Sequence, residues 1–282
     1  MPTLFIASSQ PLAGKTTVAA GLARKLASQR VQSTLRRTGE GENAAADTSL
    51  FESLSSGGEV DITELAAGET SAGVDGRVVV IAAASEAPAA HAATPGLAGV
   101  LVNRAAAKKI DSIQAAYKQA GTPLLAVVPE DSLLASPTIG QVADVLGAEG
   151  ENIETNRDRP LDRPIIASIA ADPGQTYFAH TEATAVIVRS DKPDLQLAAL
   201  NAGPTCLIVT GELPVLSYVL ERVREDEVPL LRTKLDTKET VQAIEGLFGT
   251  RPFSGGDAKL RRIEELLADV NVDALVERSA AR

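Results

Sequence analysis

A chain of 282 residues, 44% hydrophobic and 23% charged, has ordinary globular composition and enough length for two domains. Aromatic residues are only 3% and tryptophan is absent, so the core is aliphatic and there are no stacking platforms for single-stranded nucleic acid. The net charge of −10 argues against the basic face that a nucleic-acid duplex requires, so no nucleic-acid partner is expected. Cys206 lies in an apolar run and reads as a small core residue. His91 and His180 lie far apart and lack metal-ligand spacing. No apolar run approaches the roughly 20 residues that cross a bilayer. No basic and then apolar leader opens the chain, so the expectation is a cytoplasmic protein without membrane contact.

In chain order, the first half alternates β-rich runs with helical patterns. Strands are expected over Thr3–Ala7, Val31–Leu35, Arg77–Ala82, Leu97–Val102 and Leu124–Val128, with helices over Thr16–Gln29 and Lys109–Ala120. This alternation predicts an α/β parallel sheet covered on both faces. Gly, Ser, Glu and Ala dominate Thr38 to Gly76, which reads as a long loop with one short helix near Ser49–Leu54. Glu149–Arg163 is charged and contains a proline, and reads as a linker. The expected domains are therefore 1–150 and 164–282. In the second, strands are expected over Ile165–Ala170, Thr184–Val188, Cys206–Thr210 and Val228–Arg232, and helices over Leu195–Asn201, Pro214–Val223 and Thr237–Phe248. An amphipathic helix over Asp257–Ala274 is expected to pack on this smaller α/β unit.

The strongest chemical signal is Ser9-Gln-Pro-Leu-Ala-Gly-Lys-Thr-Thr, between a strand and a helix. A strand, a tight turn and a helix N-terminus aim backbone N–H groups and the positive end of the helix dipole at one point. The run meets the phosphate-loop pattern G-x-x-x-x-G-K-[ST] except that Ser9 stands at the first glycine position. Gly14 lets the backbone approach a phosphate, Lys15 reaches the β- and γ-phosphates, and Thr16 offers a hydroxyl to Mg²⁺, with Thr17 beside it. Such sites also need an acid at the end of a later strand. The strand Val78-Val-Val-Ile-Ala-Ala-Ala-Ser ends in alanines, with no carboxylate before Glu86. Asp47 is the candidate substitute, and the missing strand-end acid favours binding over hydrolysis.

In the second half, polar residues gather at the expected carboxyl ends of strands: Asp191 and Lys192, then Thr210 and Gly211, then Asp236. Ligands of parallel sheets bind there, so these five are candidates for a small-molecule site. The alternative is that they serve as turn and capping residues.

Two resemblances add to this. Gly99-Val-Leu-Val-Asn-Arg and Gly121-Thr-Pro-Leu-Leu-Ala-Val-Val-Pro-Glu-Asp resemble the dethiobiotin synthetase and cobyrinic acid a,c-diamide synthase group. The likeness is nearer to the dethiobiotin-synthetase-like domain at the N-terminus of long phosphate acetyltransferases. It implies that Asn103 reads an adenine base and that Pro129 and Glu130 line the base pocket. It departs at Ser9 and at Ala82, where that group carries a glutamate. Asp191 to Glu212 and Val228-Pro-Leu-Leu resemble the DRTGG domain over residues 164–248, which implies a ligand-sensing role.

The resulting expectation is an α/β P-loop domain binding ATP with Mg²⁺, followed by a smaller α/β regulatory domain for an unidentified small molecule. Hydrolysis is expected to be weak or absent. The chain has no room for an acetyltransferase domain, so that activity is not expected. A carboxylate ligase or kinase of dethiobiotin synthetase type, with Arg36 and Arg37 holding an anionic substrate, is the enzymatic alternative. A degenerate interaction scaffold is the other, and a homo-oligomer is compatible with each reading.

Overall fold

A computed structural model describes residues 1–38, 43–69, 76–167, 185–254 and 256–276. It contains two compact units, Met1–Asp131 joined by the segment from Asp257, and Ser132–Gly256. The expected boundary near residue 150 therefore falls earlier, at Asp131/Ser132.

In the first unit, six strands form one parallel sheet: β1 (Thr3–Ala7), β2 (Ser33–Arg37), β3 (Val60–Glu64), β4 (Arg77–Ala83), β5 (Leu97–Ala105) and β6 (Leu124–Pro129). Their order is β2-β3-β1-β4-β5-β6. Val78, Val79, Val80 and Ile81 are all buried, as expected of a strand covered on both faces. Helix α1 (Lys15–Ser28) buries Val18, Leu22 and Leu26. Helix α2 (Ala44–Leu54) is anchored by Phe51, and α3 (Ile110–Ala120) by Ile113 and Tyr117. The region read as one long loop thus holds a longer helix and a complete strand. Strand β3 alternates as a half-covered strand should, with Val60, Ile62 and Glu64 buried and Asp61 and Thr63 less so. It pairs with β1 on one side and β2 on the other. Residues 39–42 and 70–75 of that region lie outside the described residues.

The second unit contains β7 (Glu149–Glu151), β8 (Ile165–Ile166), β9 (Ala185–Arg189), β10 (Cys206–Thr210) and β11 (Leu230–Thr233), in the order β7-β11-β10-β9-β8. All pairs are parallel except β7 with β11. Its helices are α4 (Ser132–Ala135), α5 (Ile139–Leu146), α6 (Pro193–Asn201), α7 (Ser217–Glu225) and α8 (Thr237–Glu245). Side chains alternate between faces. Val186, Val188, Leu207 and Val209 pack with Leu195, Val219 and Val223, while Ile187, Cys206, Ile208 and Leu231 pack with Ile139, Val142 and Ile244. The expected linker is integral to this unit. Gly150 lies against Leu231 in the ladder, Leu161 is fully buried, and Arg157 grips both oxygens of Asp144 at 2.8 and 2.7 Å. The ends of the expected strands at 168–170 and Thr184, and also His180, lie outside the described residues.

The C-terminal helices α9 (Gly256–Leu266) and α10 (Val272–Leu275) belong to the first unit, not the second. Gly21 of α1 explains the seat. A Cβ there would come 2.7 Å from Ile263 and 2.9 Å from Leu267, so only glycine admits α9 at this distance. Arg24 reaches Asp257 at 2.6 Å and Glu264 at 3.3 Å, and Lys25 donates to the Leu267 carbonyl at 2.8 Å.

Candidate functional site

The carboxyl ends of β1, β2, β3 and β4 converge around the N-terminus of α1. Gly14 precedes the helix with φ 91°, a left-handed conformation that favours glycine. A Cβ on Gly14 would stand 2.3 Å from Asn103 Nδ2, so a side chain there would displace the Asn103 amide. Asn103, at the end of β5, donates from Nδ2 to the Ala13 carbonyl at 2.8 Å, while its Oδ1 accepts the Arg104 amide at 3.0 Å. The side chain assigned by resemblance to the base is thus a brace for the loop in this structure. Pro129 ends β6, half-buried.

Lys15 is buried and donates to Ser8 Oγ at 2.9 Å. Burial pushes its ammonium below the ordinary lysine range, against the pull of Glu64 and Asp47. Thr16 donates to Glu64 Oε2 at 2.9 Å. Asp47 pairs with Arg37 at 2.6 Å and also contacts the Thr16 hydroxyl. Glu64 and Asp47 are each only 5% exposed, and burial raises the carboxyl of both above the usual carboxylate range despite the cations nearby. Ser9, at the loop's first position, donates to Glu86 Oε2 at 3.0 Å. Thr17 follows on α1, half-buried.

The strand-end acid thought to be missing is therefore present. Ala82 does end one neighbour of β1 without a carboxylate, but β3, the other neighbour, ends in Glu64. Its signal was the alternation Val60-Asp-Ile-Thr-Glu, hidden by the flanking glycines and serines.

The donor set fits Mg²⁺. It comprises a hydroxyl and two carboxylates, hard oxygens that leave positions for water and phosphate, as that ion usually requires. Among the described residues no cluster of three His, Cys, Asp or Glu stands as an all-protein metal cage.

In the second unit the five candidate residues make local contacts. Asp191 pairs with Arg189 at 2.6 Å, and Lys192 is exposed before α6. Thr210 Oγ1 meets Thr237 Oγ1 at 3.0 Å. The Gly211 amide donates to the Thr233 and Leu235 carbonyls, both at 3.0 Å, so it is turned into the fold. Asp236 caps α8 in a reciprocal box with Glu239. For Asp236 this is the capping role weighed above.

Residues 141–247 match the DRTGG domain family. The match begins earlier than the resemblance over 164–248, taking in α5 and β7, in keeping with their place in the second unit. Among solved structures the chain is similar to the CBS and DRTGG domains of the regulatory region of Clostridium perfringens pyrophosphatase, complexed with the activator diadenosine tetraphosphate. Identity is 16% over 45% of this chain, with a TM-score of 0.36. The chain spans 56% of that structure. Among the described residues no helix is long and apolar enough to cross a membrane.

Proposed function

We propose that the first unit binds an adenine nucleotide with Mg²⁺ and that the DRTGG domain makes the chain a nucleotide-responsive regulatory protein. The observation that carries the reading is the 2.9 Å bond from Thr16 to Glu64, which joins the first turn of α1 to a carboxylate at the end of the adjacent strand. Gly14, Lys15, Thr16 and Thr17 would cradle the phosphates, with Ser9 at the loop's start. Thr16, Asp47 and Glu64 would hold the ion, directly or through water. Mg²⁺ held there would supply positive charge to offset that of the phosphates. Asn103 and Pro129 would border the base, Asn103 keeping one Nδ2 hydrogen for it while the other holds Ala13. A small-molecule ligand of the second unit would use the strand ends around Asp191, Lys192, Thr210, Gly211 and Asp236.

A second reading, a nucleotide-dependent ligase or kinase, gains from the presence of Glu64 and from Arg37, which lies in register with it on β2. Titration calorimetry with ATP, with and without Mg²⁺, tests the binding itself. Product formation from ATP separates the enzyme from the regulator, and absence of any binding would leave an interaction scaffold.

A further inference from the structure

Glu86 follows β4 and stands where three elements meet. Its Oε1 accepts the Ala83 amide at 2.9 Å, and its Oε2 accepts the Ser9 hydroxyl at 3.0 Å. The same Oε2 lies 3.5 Å from His91 Nε2, on the 3₁₀ turn Pro88–His91. His91 is 5% exposed and its Nε2 has no hydrogen-bond partner among the described residues. Helix α3 packs against this turn, and Thr122 just beyond it donates to the Pro88 carbonyl at 3.2 Å. From α3, Tyr117 faces the carboxylate with its buried hydroxyl unpartnered among the described residues, and burial together with the Glu86 charge raises its phenol above the usual range. The charged and titratable groups gathered here are thus Glu86, His91 and Tyr117, and Ser9 links them to the phosphate loop.

Ser9 occupies the position where the loop pattern has glycine. A glycine there has no side chain to tether. The serine is tied by a charge-assisted bond to a carboxylate that is itself pinned by a backbone amide, which fixes the lip of the loop before any ligand arrives.

We propose that Glu86 is a positioning residue for nucleotide binding, acting on the phosphate loop through Ser9, and that His91 draws on the same carboxylate oxygen. This rests on the nucleotide reading of the first unit. Glu86 touches no ligand; it lowers the ordering cost of the loop. His91 Nε2 and the Ser9 hydroxyl approach the same carboxylate oxygen, at 3.5 and 3.0 Å.

The test uses the full chain. ATP affinity with Mg²⁺ is measured for Ser9→Ala, Glu86→Ala, the double variant and Glu86→Gln, which keeps an oxygen for the Ala83 amide. Each alanine variant should bind about tenfold more weakly, the double variant no more weakly than either single, and Glu86→Gln should recover part of the loss. Unchanged ATP affinity in folded Glu86→Ala, or losses that add in the double variant, would overturn the inference while Lys15→Ala still weakened binding. A wild-type chain that binds no ATP would overturn the nucleotide reading as well.

Discussion

Thr16 and Glu64 lie 48 positions apart, yet a 2.9 Å hydrogen bond joins them. The bond exists because β3 enters the sheet directly beside β1, with Ile6 in register with Glu64. The helix that begins at Lys15 and the strand that ends at Glu64 therefore present hydroxyl and carboxylate to the same point. Asp47 completes the group from α2, held by Arg37 at 2.6 Å.

Lys15→Ala removes a buried cation from the site. ATP binding should weaken by on the order of 1.5–3 kcal/mol, the usual worth of a charge-assisted contact. Calorimetry on both proteins gives the number, and equal affinities would exclude the loop as the phosphate site.

Glu64→Gln separates fold from function. Burial raises the Glu64 and Asp47 carboxyls, so the folded state favours their protonated forms. Their stabilising contribution is complete below the unfolded carboxylate pKa and is lost as pH rises through the higher folded values. The ligand-free protein should thus melt at a lower temperature near neutrality than in mild acid as far as these two groups act. Glu64→Gln should raise the neutral melting temperature and flatten that slope, while the Mg²⁺ dependence of ATP binding falls. Thermal scans over pH on the wild type and the variant report both effects.

Gly150→Ala tests whether 149–163 is structure or linker. A Cβ at Gly150 would stand 1.7 Å from the Leu230 carbonyl, which the β7–β11 ladder cannot accommodate. Denaturant unfolding should show a loss of at least about 1–3 kcal/mol, the range of an overpacked site. An unaffected protein would mean that β7 is not paired in solution.

Gly21→Val asks the same of the C-terminal helices. Its side chain would collide with Ile263 and Leu267. Hydrogen exchange should accelerate in α9 and α1, with a destabilisation of about 1–3 kcal/mol. No change in α9 would mean that its partner lies elsewhere.

Much of this fold was legible where apolar side chains carry the signal. Strand β1 and strand β10 were read at their observed bounds, because Leu4-Phe-Ile-Ala and Cys206-Leu-Ile-Val are continuous buried runs. The elements missed are those held by other means. β7 is Glu-Gly-Glu, joined to β11 through its backbone, so its side chains announce no burial. β3 places a glutamate at a buried position, which in sequence looks like loop. The last helix showed its amphipathic face, but a face says that something covers it and not what. The clue lay in Gly21, a glycine inside a helix, the mark of a close neighbour. In the candidate site, Gly14, Lys15 and Thr16 were legible from spacing because a local turn builds them. Glu64 was not, since its role comes from strand order.

The most direct measurement is ATP titration calorimetry on the wild type, Lys15→Ala and Glu64→Gln, each with and without Mg²⁺. The wild type should bind ATP more tightly with Mg²⁺ than without it. Lys15→Ala should bind weakly under both conditions, and Glu64→Gln should bind alike under both, having lost the ion's contribution. Wild-type binding that is absent, or that keeps its full Mg²⁺ dependence in Glu64→Gln, would contradict the account.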